Sequence, residues 1–152
     1  MNDVIASQAG SSELRVFVQR PSTAASITIS IGGVHASITC SAPAAAPSGG
    51  GGGGGSNASV AGCAGCLQLL PTDSTLELRL FVDQTLAESY YQGGRVAYTS
   101  AVESIDLTAA AVVSSNTSVF VLNATAWEMK DHWISEEELL ATPRMHARGV
   151  GV

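Results

Sequence analysis

Asp83 and Glu88 lie close together in this 152-residue chain and are the carboxylates on which a search for general acid/base chemistry settles first. Hydrolysis by a carboxyl pair needs one member ionised and the other held protonated by its surroundings. The neighbouring sequence points to structure instead. Asp83 ends an alternating run and precedes Gln84-Thr85, a turn whose backbone N–H groups a short acidic side chain accepts from. Glu88 is placed to pair with Arg95 across Gly93-Gly94, or to face a partner domain. Cys63-Ala64-Gly65-Cys66 has the spacing of a redox pair or of half a zinc site. Cys40 and His35, the local groups that could complete a zinc shell, sit at no recognised spacing across a glycine-rich stretch. Leu67-Gln68-Leu69-Leu70-Pro71 is too short for the helix that follows a thioredoxin-type motif. The expectation is two small, semi-buried cysteines at a strand start, or a disulfide in an oxidising compartment. His35, His132 and His146 are scattered, and the run Gly49 to Gly55 lacks the Lys-Ser/Thr of a phosphate loop. No catalytic residue, metal site or cofactor is expected.

The elements that must position these groups read as strands. Leu76, Leu78, Leu80 and Val82 alternate with Glu77, Arg79, Phe81 and Asp83, the period of a strand with one buried face. Leu86 to Tyr91 and Arg95 to Ser100 flank Gln92-Gly93-Gly94, a hairpin. Upstream, Ile27, Ile29 and Ile31 alternate with Thr28 and Ser30 before Gly32-Gly33 turns the chain into Val34 to Thr39. Ser104 to Val113 and Ser118 to Met129 have strand composition and no helical repeat. Eight or nine short strands with no helical crossovers predict an all-β, antiparallel two-sheet sandwich. Glu13-Leu14-Arg15-Val16-Phe17-Val18 echoes Glu77-Leu78-Arg79-Leu80-Phe81-Val82, as two similar strands of one sandwich would.

The run Leu76 to Ser100, L-E-L-R-L-F-V-D-Q-T-L-A-E-S-Y-Y-Q-G-G-R-V-A-Y-T-S, resembles the C-terminal β-sandwich module of glycoside hydrolase family 32, the invertases and fructan hydrolases. Departures are Gln84 for a basic residue, Thr85 for Ser, Ala87 for a larger aliphatic, and Ala101 to Ser104 for R-V-Y-P. Asn123 to Met129 resembles the closing strand with its W-x-M. The resemblance makes Asp83, Glu88, Gly93, Gly94, Arg95 and Trp127 structural signature positions, with Trp127 in the core. It also implies a partner, the five-bladed catalytic propeller that carries the family's nucleophile and acid/base. None of the propeller motifs is present here, and Met1-Asn2-Asp3 matches three letters of one by chance. The implied function is that of an accessory module packed on a propeller that hydrolyses sucrose or fructans, in cis in a longer parent or in trans, and inactive alone. The rival reading is a stand-alone carbohydrate-binding or dimerisation module. Tyr90, Tyr91 and Tyr98 would then be the sugar-contacting candidates, although alternation puts Tyr90 and Tyr91 on opposite faces.

Composition bounds the rest. A formal charge of −6 with 7 basic residues offers no stripe to neutralise phosphates, and no apolar run reaches membrane-spanning length, so neither nucleic acid nor a membrane is an expected partner. Met1 to Ser7 lacks the regions of a signal peptide, which motivates reading the chain as part of a longer product of unassigned location. Residues 1–133 are expected to form the sandwich, with Ser41 to Ser59 an unpacked Ala/Gly/Ser/Pro loop inserted in it. Residues 134–152 read as a short helix to Ala141, capped by Ser135 and stopped by Pro143, and a disordered tail. Glycosylation sequons start at Asn57, Asn116 and Asn123, the last inside a predicted strand and expected to be inaccessible.

Overall fold

The computed structural model describes residues 3–5, 11–41, 56–60, 63–83, 85–106, 109–129 and 136–141. Among these, the strands are β1 (Asp3–Ile5), β2 (Ser11–Gln19), β3 (Ala25–Ile31), β4 (Val34–Cys40), β5 (Ser56–Val60), β6 (Cys63–Leu69), β7 (Thr75–Asp83), β8 (Leu86–Tyr91), β9 (Val96–Ala101), β10 (Ala111–Ser115) and β11 (Val121–Met129). One short helix, α1 (Glu136–Ala141), follows. A six-stranded sheet runs β1-β10-β3-β4-β5-β6 and a five-stranded sheet runs β11-β2-β7-β8-β9, every pair antiparallel. The protein is an all-β two-sheet sandwich.

Period-2 alternation builds the core. Leu14, Val16 and Val18 of β2, with Leu76, Leu78, Leu80 and Val82 of β7, face Ile27, Ile29 and Ile31 of β3 and Ile38 of β4, none more than 1 % exposed. Strands with one buried face cannot slip by one residue without turning that whole row to water, so register is fixed by burial. Tyr91 closes the core on β8, fully buried, and its hydroxyl has no hydrogen-bond partner among the described residues. An unpaired buried hydroxyl costs free energy that a phenyl ring does not. Tyr91→Phe is therefore expected to raise the unfolding free energy by about 1 kcal/mol, read as a higher urea midpoint at unchanged slope.

Several expectations are corrected. Described strands number eleven, because β1 and β5 add to those read from the sequence, β6 being the strand whose start the cysteines mark. β5 occupies Ser56–Val60, so the inserted loop ends earlier than Ser59: Ala58 and Val60 are buried and Ala58 pairs with Cys40. Ser104 to Asp106 are not strand, and β10 starts at Ala111. The reason is local packing, since Ile105 lies against the core and the Asp106 amide donates to the Gly32 carbonyl at 3.3 Å. Cys63 and Cys66 take the second of the two expected alternatives, a disulfide with Cα atoms 5.8 Å apart, but contrary to expectation they are exposed rather than semi-buried. They precede the part of edge strand β6 where Leu67 and Leu69 turn inward. The Ser135 cap, the residue 133/134 boundary and the tail beyond Ala141 lie outside the described residues.

Trp127 is 43 % exposed, not a core residue. A bulge between Val121 and Asn123 shifts the pairing of β11 on β2 by one residue. Val121, Ala124 and Ala126 consequently pack against the core, while Trp127 stands opposite Glu13 in the outward row. One inserted residue has inverted the strand's parity.

Candidate functional site

Outward-facing side chains of the five-stranded sheet form an organised polar and aromatic face. β2 and β7, the two echo strands, lie side by side and antiparallel, with Glu13 opposite Phe81, Arg15 opposite Arg79 and Phe17 opposite Glu77. Placing the same E-L-R-h-F-V pattern on both strands about the Arg15/Arg79 pair creates a local two-fold. Each arginine then meets the other strand's glutamate. The Arg15 Nε donates to Glu77 Oε1 at 2.7 Å, and Arg79 Nε donates to Glu13 Oε1. Each guanidinium also covers its own strand's ring, Arg15 over Phe17 at 4.7 Å and Arg79 over Phe81 at 4.3 Å. The Glu13 bond holds the Arg79 pKa above its ordinary value. Beside them on β8, Tyr90 meets Phe81 edge-to-face at 5.8 Å. Desolvation there and the neighbouring Glu88 carboxylate push the Tyr90 phenol up.

The β8–β9 turn closes one end of this face. Gln92, at φ +50°, accepts from the Glu77 amide through Oε1 at 2.6 Å and donates from Nε2 to the Thr75 carbonyl at 3.0 Å. That clamps the turn on β7. Gly93, at φ +66°, leaves the floor beside Glu77 open. Arg95 does not pair with Glu88: it makes a bidentate bond to Asp73 at 2.6 and 2.7 Å and donates to the Gln68 carbonyl at 3.3 Å. The expected Glu88 pairing fails because Glu88 lies further up β8, opposite Phe81 and Thr99. Asp73 belongs to the β6–β7 turn, where it also accepts from the Leu70 amide at 2.7 Å, so the pair ties the edge of one sheet to the hairpin of the other.

The Arg95 bond pulls the Asp73 carboxyl from 3.8 to about 2. A depressed acid contributes stability that is full above its unfolded value and is lost as pH falls through the folded one. Solvent screening limits that contribution to about 1 kcal/mol or less. Asp73→Asn is expected to lower the urea midpoint at neutral pH, and the difference from wild type should shrink as pH falls from 3.8 toward about 2.

The sequence candidates are thus divided. Gly93, Gly94 and Arg95 gather at the turn, Glu88 and Trp127 stand near the opposite end of the face, and Asp83 ends β7, exposed. The turn residue Gln84, whose amide was expected to bond Asp83, lies outside the described residues. Tyr91 is excluded as a sugar contact because it is fully buried. Tyr90 lies outward and Tyr98 sits in the inner row of edge strand β9, 46 % exposed, so the two share no platform. Asn123 is exposed on the outer face of edge strand β11, contrary to the expected inaccessibility, and Asn116 is exposed with its Oδ1 accepting from the Ser26 amide at 2.8 Å. Arg15, Phe17, Glu77 and Gln92 are not among the site candidates that the sequence offers, although they stand in its strand and hairpin patterns. The echo of β2 in β7 was the one signal that could have found the first three.

These observations define a single-sandwich module with a paired-arginine outer face. The chain belongs to the family described as glycosyl hydrolases family 32 C terminal, whose model matches residues 4–128. Similar solved structures include sheep galectin-11 in complex with glycerol, 8% identical with a TM-score of 0.45, covering 84% of this chain and 96% of that one. A toad ovary galectin in complex with thio-digalactose is 6% identical with a TM-score of 0.43, covering 83% and 98%. No curated protein matches the chain.

Proposed function

We propose that this C-terminal family 32 module acts by packing on the catalytic propeller of a β-fructofuranosidase-type hydrolase and stabilising it, and that it has no activity alone. The parent reaction is hydrolysis or transfer of β-fructofuranosyl units from sucrose or fructans. The observation that carries this reading is apolar surface on β11 and its lead-in: Phe120 is 74 %, Leu122 55 % and Trp127 43 % exposed. Large apolar side chains grouped on one edge strand favour a covering partner. The charged residues also serve the sandwich itself, as the pairs Arg15–Glu77, Arg79–Glu13 and Arg95–Asp73 do.

Co-expression with a family 32 catalytic propeller tests it. The expected result is a complex that survives gel filtration, with a propeller that melts higher than when alone. Phe120→Ser with Leu122→Ser should break that complex while leaving the module folded. Sucrose hydrolysis by the chain alone, or the absence of any complex, would count against the reading.

A further inference from the structure

The groove at the β8–β9 end of the outer face is lined by Phe17, Thr75, Glu77, Gln92, Gly93 and Arg95 and has a volume of about 390 Å³. That lies within the span of small-molecule sites, roughly 300–1,000 Å³, and the depression is shallow and open to solvent, as suits one ring of a longer ligand. We propose that it is a saccharide subsite, taking one ring of a neutral sugar.

Charge, chemistry and rigidity carry the argument. Both lining charges are compensated within the chain, Glu77 by Arg15 at 2.7 Å and Arg95 by Asp73 at 2.6 Å. With each charge already paired inside the chain, neither a free anion nor a free cation meets an uncompensated partner, so the groove suits a neutral ligand. What it offers such a ligand is an aromatic ring with both acceptors and donors around it. Arg15 engages Oε1 of Glu77, and Oε2 faces the Gly93 side, 3.9 Å from the place a Cβ would occupy there. Guanidinium and carboxamide groups supply donors. A sugar ring presents an apolar face for the side of Phe17 that Arg15 does not cover, and a rim of hydroxyls that both donate and accept. The polar groups are already held: Gln92 by two hydrogen bonds to β7, Arg95 by two to Asp73. Little side-chain entropy remains to be lost on binding.

The local two-fold provides an internal control. Phe81, Arg79 and Glu13 repeat the stack and the ion pair, but Trp127 of β11 takes the position next to Glu13 that Gln92 takes next to Glu77. Among the described residues, the turn that makes the groove stands at one end of the face.

The test is an amide chemical-shift titration of the full chain with sucrose, a short inulin-type oligofructoside and maltotriose. Saturable shifts at Phe17, Glu77, Gln92 and Gly93 with at least one of these sugars are expected. Phe17→Ala should weaken binding about tenfold, equivalent to about 1.4 kcal/mol, and Phe81→Ala should leave it within about twofold. Should Phe17→Ala fail to fold, Glu77→Gln, which keeps the shape and removes the charge, should weaken the same titration severalfold. No saturable shift with any sugar, equal losses in the Phe17 and Phe81 variants, or shifts centred on Trp127 would overturn the proposal. Binding is read on the chain alone and propeller packing by gel filtration, so the two readings fail separately.

Discussion

Leu78→Ala is expected to lower the unfolding free energy by about 3 to 4 kcal/mol. Leu78 lies on β7, the middle strand of the five-stranded sheet, and is fully buried. Val16 of β2 flanks it on one side and Tyr91 of β8 on the other, both fully buried, and β3 and β4 cross β7 from the opposite sheet. Truncation removes apolar contact on every side. Collapse into the cavity is restricted because β7 is hydrogen-bonded along both edges. No polar group changes partner, so the cost is transfer plus cavity. The urea midpoint should fall with the slope unchanged. Thr125→Ala, on the outer face of the same sheet, should stay within about 0.5 kcal/mol. A Leu78 effect no larger than the Thr125 effect would mean that the two sheets do not meet at this position.

The contrast between Leu78 and Thr125 also marks where sequence reading runs out. Rows such as Leu76, Leu78, Leu80 and Val82 were legible because burial imposes a two-residue period within one strand. The Gly32-Gly33 and Gln92-Gly93-Gly94 turns were legible because their φ angles, +58° and +86° in the first, demand glycine at the bend. β5 was hidden because its alternation of Ala58 and Val60 with Asn57 and Ser59 is carried by small residues following a glycine run. The outer face was hidden for a different reason. Arg15 and Glu77 are 62 positions apart, and their meeting depends on the register of β2 against β7, which no local pattern states. Trp127 shows the sensitivity of such inferences: its side of the sheet is set by one bulged residue at Leu122. The groove needs both kinds of information, a glycine turn written locally and a strand pairing that is not.

Gly32→Ala is expected to cost about 3 kcal/mol, against about 1 kcal/mol for Gly33→Ala, although both replace a left-handed glycine of the same turn. The shared part is backbone strain, since φ is +58° at Gly32 and +86° at Gly33. The difference is space. A Cβ on Gly32 would sit 2.6 Å from Ile105 Cγ2 and 2.9 Å from the Asp106 carbonyl oxygen, whereas one on Gly33 meets nothing within 4 Å. Ile105 could swing its terminal carbons aside, but the Asp106 backbone is held against Gly32 by its own amide. Ile105→Ala in the Gly32→Ala background should therefore restore part of the loss and not all of it. Full rescue would place the whole conflict in the isoleucine side chain, and equal costs at Gly32 and Gly33 would mean that the 105–106 segment is not pressed onto the hairpin. The intermediate outcome follows from a chain that uses one glycine both to reverse direction and to seat the segment leading into β10.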